Sequence, residues 1–284
     1  MSTKPIYKSP AGEKAVMALY DAVLAKWPVP FETLDISTQH GNTFVISCGN
    51  STAPPLVLLH GAGTNSAIWA GDVVEYGRHY HVYAVDLLGE PGKSAPNRLS
   101  WEGPAYVEWL EELLDALKIG KATFIGISQG AWTALKFAVS QPARVDKLVL
   151  LSPGGVVPDR ISFAIQALLF ASLGRWGARR LTQLIYGNQP IPEGVEEITL
   201  LIMSHFKARV GILPLFSDEE LQRLTMPTFL LGGEQDALRD LEKIAARLRL
   251  FVPHLTVTII PEAGHALLNT TEYVMSFLAS AETA

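Results

Sequence analysis

Ser128 stands in the run Gly126-Ile127-Ser128-Gln129-Gly130, between an apolar stretch, Thr123 to Ile127, and a segment of helical periodicity, Gln129 to Val139. A G-x-S-x-G turn joining strand to helix strains the serine and exposes its hydroxyl at a helix N-terminus, where developing negative charge is stabilised. A serine hydroxyl is a weak nucleophile near neutral pH. It needs a base to take its proton and a third group to hold that base in the right tautomer. The chemistry served by such a set is acyl transfer through a tetrahedral oxyanion.

Position relative to the strands selects the partners, because catalytic groups gather at the carboxyl ends of parallel strands. His265 follows the apolar run Leu255 to Ile260 through Pro261-Glu262-Ala263-Gly264, whereas His254 precedes that run and so belongs to the opposite edge. His40 falls in a turn, and His205 in a helical region where a pocket position and a surface position are both open. His79 and His81 would share one face of a strand, but no third ligand accompanies them, so no metal site is expected. For the acid, Thr228 to Leu231 runs into Gly232-Gly233-Glu234-Gln235-Asp236. Asp236 is favoured over Glu234, because the acid needs a few residues beyond the strand to reach under the histidine; Asp159 is a further alternative. The oxyanion donors expected are the backbone N–H of Gln129, next after the serine, and that of Ala62 in the loop His60-Gly61-Ala62-Gly63. Glycines at 61 and 63 allow close backbone approach. His60 is read as a structural histidine bonded to that loop.

The elements that must position these residues follow from periodicity. Residues 11–27 have helical spacing, and Phe31 to Ser37 with Asn42 to Cys48 form a hairpin turning at His40-Gly41-Asn42. From Leu56 onward short continuous apolar runs alternate with amphipathic segments: Leu56 to Leu59, a helix near Ala67 to Tyr76, Tyr80 to Val85, a helix through Tyr106 to Leu117, Thr123 to Ile127, a helix to Val139, and Leu148 to Leu151. Strands without polar alternation are covered on both faces, and the helices between them have crossover length. The pattern is α/β, a mostly parallel central sheet flanked by helices. Between Pro153 and Met226 the patterns are helical only. Strands resume at Thr228 to Leu231 and Leu255 to Ile260, with helices near Leu238 to Leu248 and Ala266 to Leu278. The expected organisation is a helical lead-in over residues 1–30, a core over 31–152 and 227–284, and a helical cap over 153–226 inserted between two strands. Phe163, Leu169, Phe170 and Trp176 in that insert are candidates for lining a substrate pocket, although packing of cap on core explains their helical spacing equally well.

Composition narrows the partners. The 284 residues are 48% hydrophobic and 18% charged, against about 25% charged on average. Folding can bury about 73% of the unfolded surface of such a chain, so a large core is available. The charge deficit is local: residues 36–71, 122–135, 148–158, 161–174 and 224–233 contain no Asp, Glu, Lys or Arg. Those stretches hold sheet strands, the Ala62 loop, the Ser128 turn and the first helix of the insert. A formal net charge of -5 without basic runs suggests neither nucleic acid nor an anionic membrane as partner. One cysteine, Cys48, leaves no internal disulfide, and its alternating strand context suggests a buried structural thiol. The N-terminal residues show no signal-peptide core, and Ile161 to Gly174 is too short and too polar to span a bilayer, so a cytoplasmic location is expected. The chain is expected to act as a monomer or homodimer. Gly61-Ala62-Gly63-Thr64-Asn65-Ser66 with Asp86 imitates a dinucleotide fingerprint, but Ser66 stands where the third glycine should be. Gly92-Lys93-Ser94 imitates the end of a P-loop, but Leu87 replaces the required glycine. No cofactor is expected.

With His60-Gly61-x-Gly63, Asp86-x-x-Gly89, Gly126-x-Ser128-x-Gly130, Gly233-x-x-Asp236 and Gly264-His265 in place, the sequence from about Phe31 to its last helix resembles the α/β-hydrolase superfamily, specifically its capped, carboxylesterase-like members. The order Ser128, Asp236, His265 is that superfamily's order of nucleophile, acid and histidine. The loop Gly89 to Ser94 departs from the frequent D-x-x-G-x-G-x-S pattern by one residue, as it does in a subset of bacterial carboxylesterases. The resemblance implies a serine hydrolase that cleaves carboxylic esters of small or medium apolar acyl groups through an acyl-enzyme. The alternatives are a lactone, thioester or carbon-carbon bond hydrolase of the same fold, or a small-ligand receptor that retains the three residues without turnover.

Overall fold

The continuous apolar runs become strands whose alternate side chains feed two different cores. In the computed structural model, which describes residues 5–280, the strands are β1 (Phe31–Thr38), β2 (Gly41–Gly49), β3 (Pro55–Leu59), β4 (His81–Val85), β5 (Ala122–Ile127), β6 (Val145–Leu151), β7 (Thr228–Gly233) and β8 (Leu255–Ile260). They form one sheet in the order β1-β2-β4-β3-β5-β6-β7-β8. The β1–β2 and β2–β4 pairs are antiparallel and all others are parallel. Helices are α1 (Pro10–Leu24), α2 (Val73–His79), α3 (Ala105–Ala116), α4 (Gln129–Ser140), α5 (Ile161–Ala171), α6 (Gly174–Tyr186), α7 (Val195–His205), α8 (Asp218–Leu221), α9 (Leu241–Phe251) and α10 (Thr271–Ser280). Residues 1–4, part of the segment read for a signal peptide, and 281–284 lie outside the described residues.

Val57, Leu59, Phe124, Leu148, Leu150 and Leu230 pack with residues of α3, α4 and α9 on one face of the sheet. Leu56, Leu58, Ile125, Val149, Leu151 and Leu231 pack with residues of α1, α2 and α10 on the other. A period-two pattern in which both faces are apolar is what leaves these strands without polar alternation. Cys48 is buried, and that burial pushes its thiol up to about 11, consistent with an unreactive packing role.

Three helical expectations and one strand expectation need correction. The segment near Ala67 to Tyr76 is two pieces, a 3₁₀ turn Ser66–Gly71 and α2, because the Asn65 side chain accepts from the Ala67 N–H and starts the chain in a tighter turn. His79 closes α2 instead of entering a strand, so it does not share a strand face with His81, which hydrogen-bonds Ser47 and Tyr83. α9 begins at Leu241 and not near Leu238, because the Leu238 and Arg239 N–H groups are drawn to the Asp236 carboxylate and Asp240 caps the helix. α10 begins at Thr271, since the Ala266 N–H is bonded to Ile185 O and Asn269 is left-handed at φ 55°.

Between β6 and β7 the chain runs through α5, α6, α7 and α8 with no strand among the described residues. α7 packs on α1, where an added Cβ on Gly12 would lie 2.7 Å from His205 Nδ1; His205 is a packing residue there. α5 is uncharged, yet Ile161, Ile165, Leu168 and Leu169 are exposed, so its apolar spacing does not represent packing on the core. No helix among the described residues is long and apolar enough to cross a membrane.

Candidate active site

The carboxyl ends of β3, β5, β7 and β8 carry the loops in which the sequence places its chemistry. Ser128, directly after β5, adopts φ 54°, ψ -108°, a left-handed strain for a side-chain-bearing residue. The turn is enforced by contact. A Cβ on Gly126 would sit 2.5 Å from Ala131 Cα, and one on Gly130 would sit 2.1 Å from Leu59 O, so neither position admits a larger residue without backbone movement. Ser128 is 9% exposed, so it is largely buried but not sealed off.

The Ser128 hydroxyl donates to His265 Nε2 at 3.0 Å, and His265 Nδ1–H donates to Asp236 Oδ2 at 2.8 Å; these partners assign the imidazole tautomer. Asp236 is fully buried, and its other oxygen accepts from the Leu238 and Arg239 N–H groups at 2.8 and 2.9 Å. Burial acts to raise this carboxyl, but the His265 charge, its hydrogen bond and the two backbone donors outweigh it and hold Asp236 below the ordinary aspartate value. His265 is held from the insert: the Gly264 N–H bonds to Tyr186 O at the end of α6, and the Ala266 N–H to Ile185 O. Glu234 is exposed, and Asp159 pairs with Arg239 instead of the histidine, so geometry selects Asp236 among the three acids.

The Ala62 loop runs beside the serine, since a Cβ on Gly61 would lie 3.6 Å from Ser128 Cβ. His60 is wholly buried: Nδ1–H donates to Gly61 O, Nε2 accepts from the Leu87 N–H, and burial lowers its basicity. It braces the loop and lies outside the Ser128–His265–Asp236 chain. Gln129 is the first residue of α4, where an N–H has no intrahelical acceptor. Neither its N–H nor that of Ala62 bonds to a described residue.

Two residues of this region escaped the sequence reading. Glu90, 2% exposed, accepts from the Gly63 N–H at 2.7 Å and from the Gln129 side-chain amide at 3.3 Å, tying the Ala62 loop to the residue after Ser128. The extra residue in the loop Gly89 to Ser94 was the available signal. Arg239 is 3% exposed and reaches Ser128 itself. Nothing in its local sequence marks it, because a charged residue three positions after an acid is ordinary in a surface loop.

Burial pushes the Glu90 carboxyl up from 4.5 to about 7, against the opposing pull of the Gly63 and Gln129 donors and of Arg98 and Arg209. A carboxyl raised on folding stabilises the fold below its unfolded value, and that contribution is lost as pH rises from about 4.5 through about 7. The span corresponds to a change on the order of 3 kcal/mol. Glu90→Gln should therefore melt several degrees above wild type at pH 8, with the gap closing toward pH 5. Thermal melts of both proteins across that range check this; a gap independent of pH contradicts it.

Of the four pocket candidates, Phe163 and Phe170 are half-buried in α5. Leu169 and Trp176 are more than half exposed, and Phe170 meets Trp176 edge to face at 5.7 Å across the α5–α6 corner. The glycine-rich run at 61–66 is occupied internally as well: Asp86 accepts from the Ser66 and Lys93 N–H groups and the Tyr20 hydroxyl, which leaves it committed to the loop and not to a ribose. Among the described residues no three His, Cys, Asp or Glu side chains are grouped to hold a metal.

Comparison with known proteins agrees with this architecture. The profile of the family described as "Alpha/beta hydrolase family" matches residues 56–274. The chain is 33% identical over 257 residues to "Uncharacterized carboxylesterase nap" of Bacillus subtilis, covering 87% of this chain and 85% of the relative. It is 30% identical over 275 residues to "Carboxylesterase YbfK" of the same organism, covering 91% and 92%. Among solved structures, naproxen esterase from Bacillus subtilis superposes with a TM-score of 0.85 at 30% identity, over 95% of this chain and 99% of that one. The carboxylesterase CesB (YbfK) superposes with the same TM-score at 26% identity over the same shares. The strand order, the strained turn at Ser128 and these matches together place the chain in the alpha/beta hydrolase family, as a carboxylesterase-like hydrolase.

Proposed function

We propose that the protein hydrolyses carboxylic esters of small or medium apolar acyl groups, with Ser128 as nucleophile, His265 as general base and acid, and Asp236 as the group that orients the histidine. The observation that carries this reading is the unbroken hydrogen-bonded chain from Ser128 through His265 to a buried, doubly anchored Asp236. His265 Nε2 takes the Ser128 proton as Oγ bonds to the ester carbonyl carbon, and the carbonyl electron pair moves onto oxygen, facing the Ala62 and Gln129 N–H groups. The C–O bond to the alcohol then breaks, His265 gives the alcohol its proton, and water attacks the acyl-enzyme by the same route. The insert from residue 153 to 226 acts as a cap whose α6 end steadies the His265 loop. The carboxylesterases to which the chain is similar support ester substrates over the other bonds this fold can cleave. A fluorophosphonate probe should form one covalent adduct, on Ser128, and p-nitrophenyl acetate and butyrate should both be turned over. Absence of both overturns the reading.

A further inference from the structure

Arg239 is a buried cation in contact with the atom proposed above to be the nucleophile. Its Nη1–H donates to Ser128 Oγ at 3.1 Å and to Ser152 O, and its Nε–H donates to Asp159 Oδ1 at 3.1 Å. Its backbone N–H bonds to Asp236, so one residue touches both ends of the Ser128–His265–Asp236 chain. The chain makes room for the guanidinium: a Cβ on Gly154 would sit 2.8 Å from Nη2. The charged neighbours are Asp159, which neutralises it, Asp236 and His265, with Arg160 bonding Asp236 O and pairing with Asp240 beyond.

We propose that Arg239 is a fourth catalytic residue, which aims the Ser128 hydroxyl and stabilises negative charge on Oγ; this rests on the hydrolase reading above. A hydroxyl has one hydrogen and two acceptor lone pairs. With one lone pair taken by the Arg239 N–H, the hydrogen is left to point at His265 Nε2. As His265 removes that proton and Oγ bonds to the carbonyl carbon, charge passes through Oγ beside a guanidinium that carries no acceptor and keeps its own proton throughout. The same donor serves deacylation: when the acyl C–Oγ bond breaks, the electron pair returns to Oγ and His265 restores its proton. Arg239 therefore acts on the attacking and departing oxygen, whereas Ala62 and Gln129 act on the carbonyl oxygen.

The test compares wild type, Arg239→Gln and Arg239→Lys with p-nitrophenyl butyrate and the fluorophosphonate probe across pH. R239Q should lose about 10²-fold in kcat and in labelling rate, the size seen when one donor to a reacting oxygen is removed, with KM nearly unchanged. Loss of the cation should also move the acid limb of its kcat/KM profile to higher pH, because a positive charge no longer opposes protonation of the site. R239K, which keeps the charge, should fall between the two in rate and keep the wild-type acid limb; it decides the matter if R239Q does not fold. R239Q with wild-type rates, or R239Q and R239K slowed equally with neither profile shifted, overturns the role while leaving the hydrolase intact. A wild-type protein that takes no label and turns over no ester overturns the hydrolase reading, and this role with it.

Discussion

Ser128→Ala should lower p-nitrophenyl butyrate hydrolysis by at least about 10⁴-fold in kcat, with the fold retained by circular dichroism. The effect is this large because the proposed mechanism runs through an acyl group on Ser128; without it, what remains is attack by water assisted by the two proposed N–H donors. The substitution removes one oxygen. It leaves His265 bonded to Asp236 and Arg239 bonded to Ser152 and Asp159, so the loss belongs to chemistry and not to collapse of the site. Progress curves at high enzyme concentration measure it, and turnover within tenfold of wild type would mean that the nucleophile lies elsewhere.

The second large effect concerns a side chain with no access to substrate. Asp236→Asn should cost about 10⁴-fold in kcat with KM nearly constant, the behaviour of a triad whose histidine is held in the wrong tautomer. The reason is local and can be followed atom by atom. One Asp236 oxygen accepts two backbone N–H groups, so an asparagine must place its carbonyl oxygen there and turn its NH₂ toward His265 Nδ1. Nδ1 then accepts, the ring proton moves to Nε2, and Nε2 faces Ser128 as a donor that cannot take a proton. Steady-state kinetics at pH 8 check this. A variant within tenfold of wild-type kcat would show that His265 keeps its tautomer without the carboxylate.

Much of this was legible along the chain. Gly126, Gly130 and Ser128 are local in sequence and local in space, and the requirement for small residues beside the turn shows directly in the contacts an added Cβ would make. His265 and Asp236 were legible for a different reason. Parallel strands all end at one edge, so residues just past separate apolar runs are brought together without any contact being known. The helix boundaries near 238 and 266 were not legible, because the N–H groups that would start those helices are taken by Asp236 and by Ile185 across the fold.

The sequence by itself determined the sheet, the direction of its strands and the loops past their ends that carry Ser128, His265 and the candidate acids, because each depends on short-range periodicity and chain order. Only the tertiary structure decided that Asp159 pairs with Arg239 while Asp236 takes the histidine, that Glu90 is buried under the Ala62 loop, and that a guanidinium reaches the serine. These are choices among charged residues in loops, and in water such residues are interchangeable. They become distinct when folding removes the water, since a buried charge must then find its partners within hydrogen-bond reach.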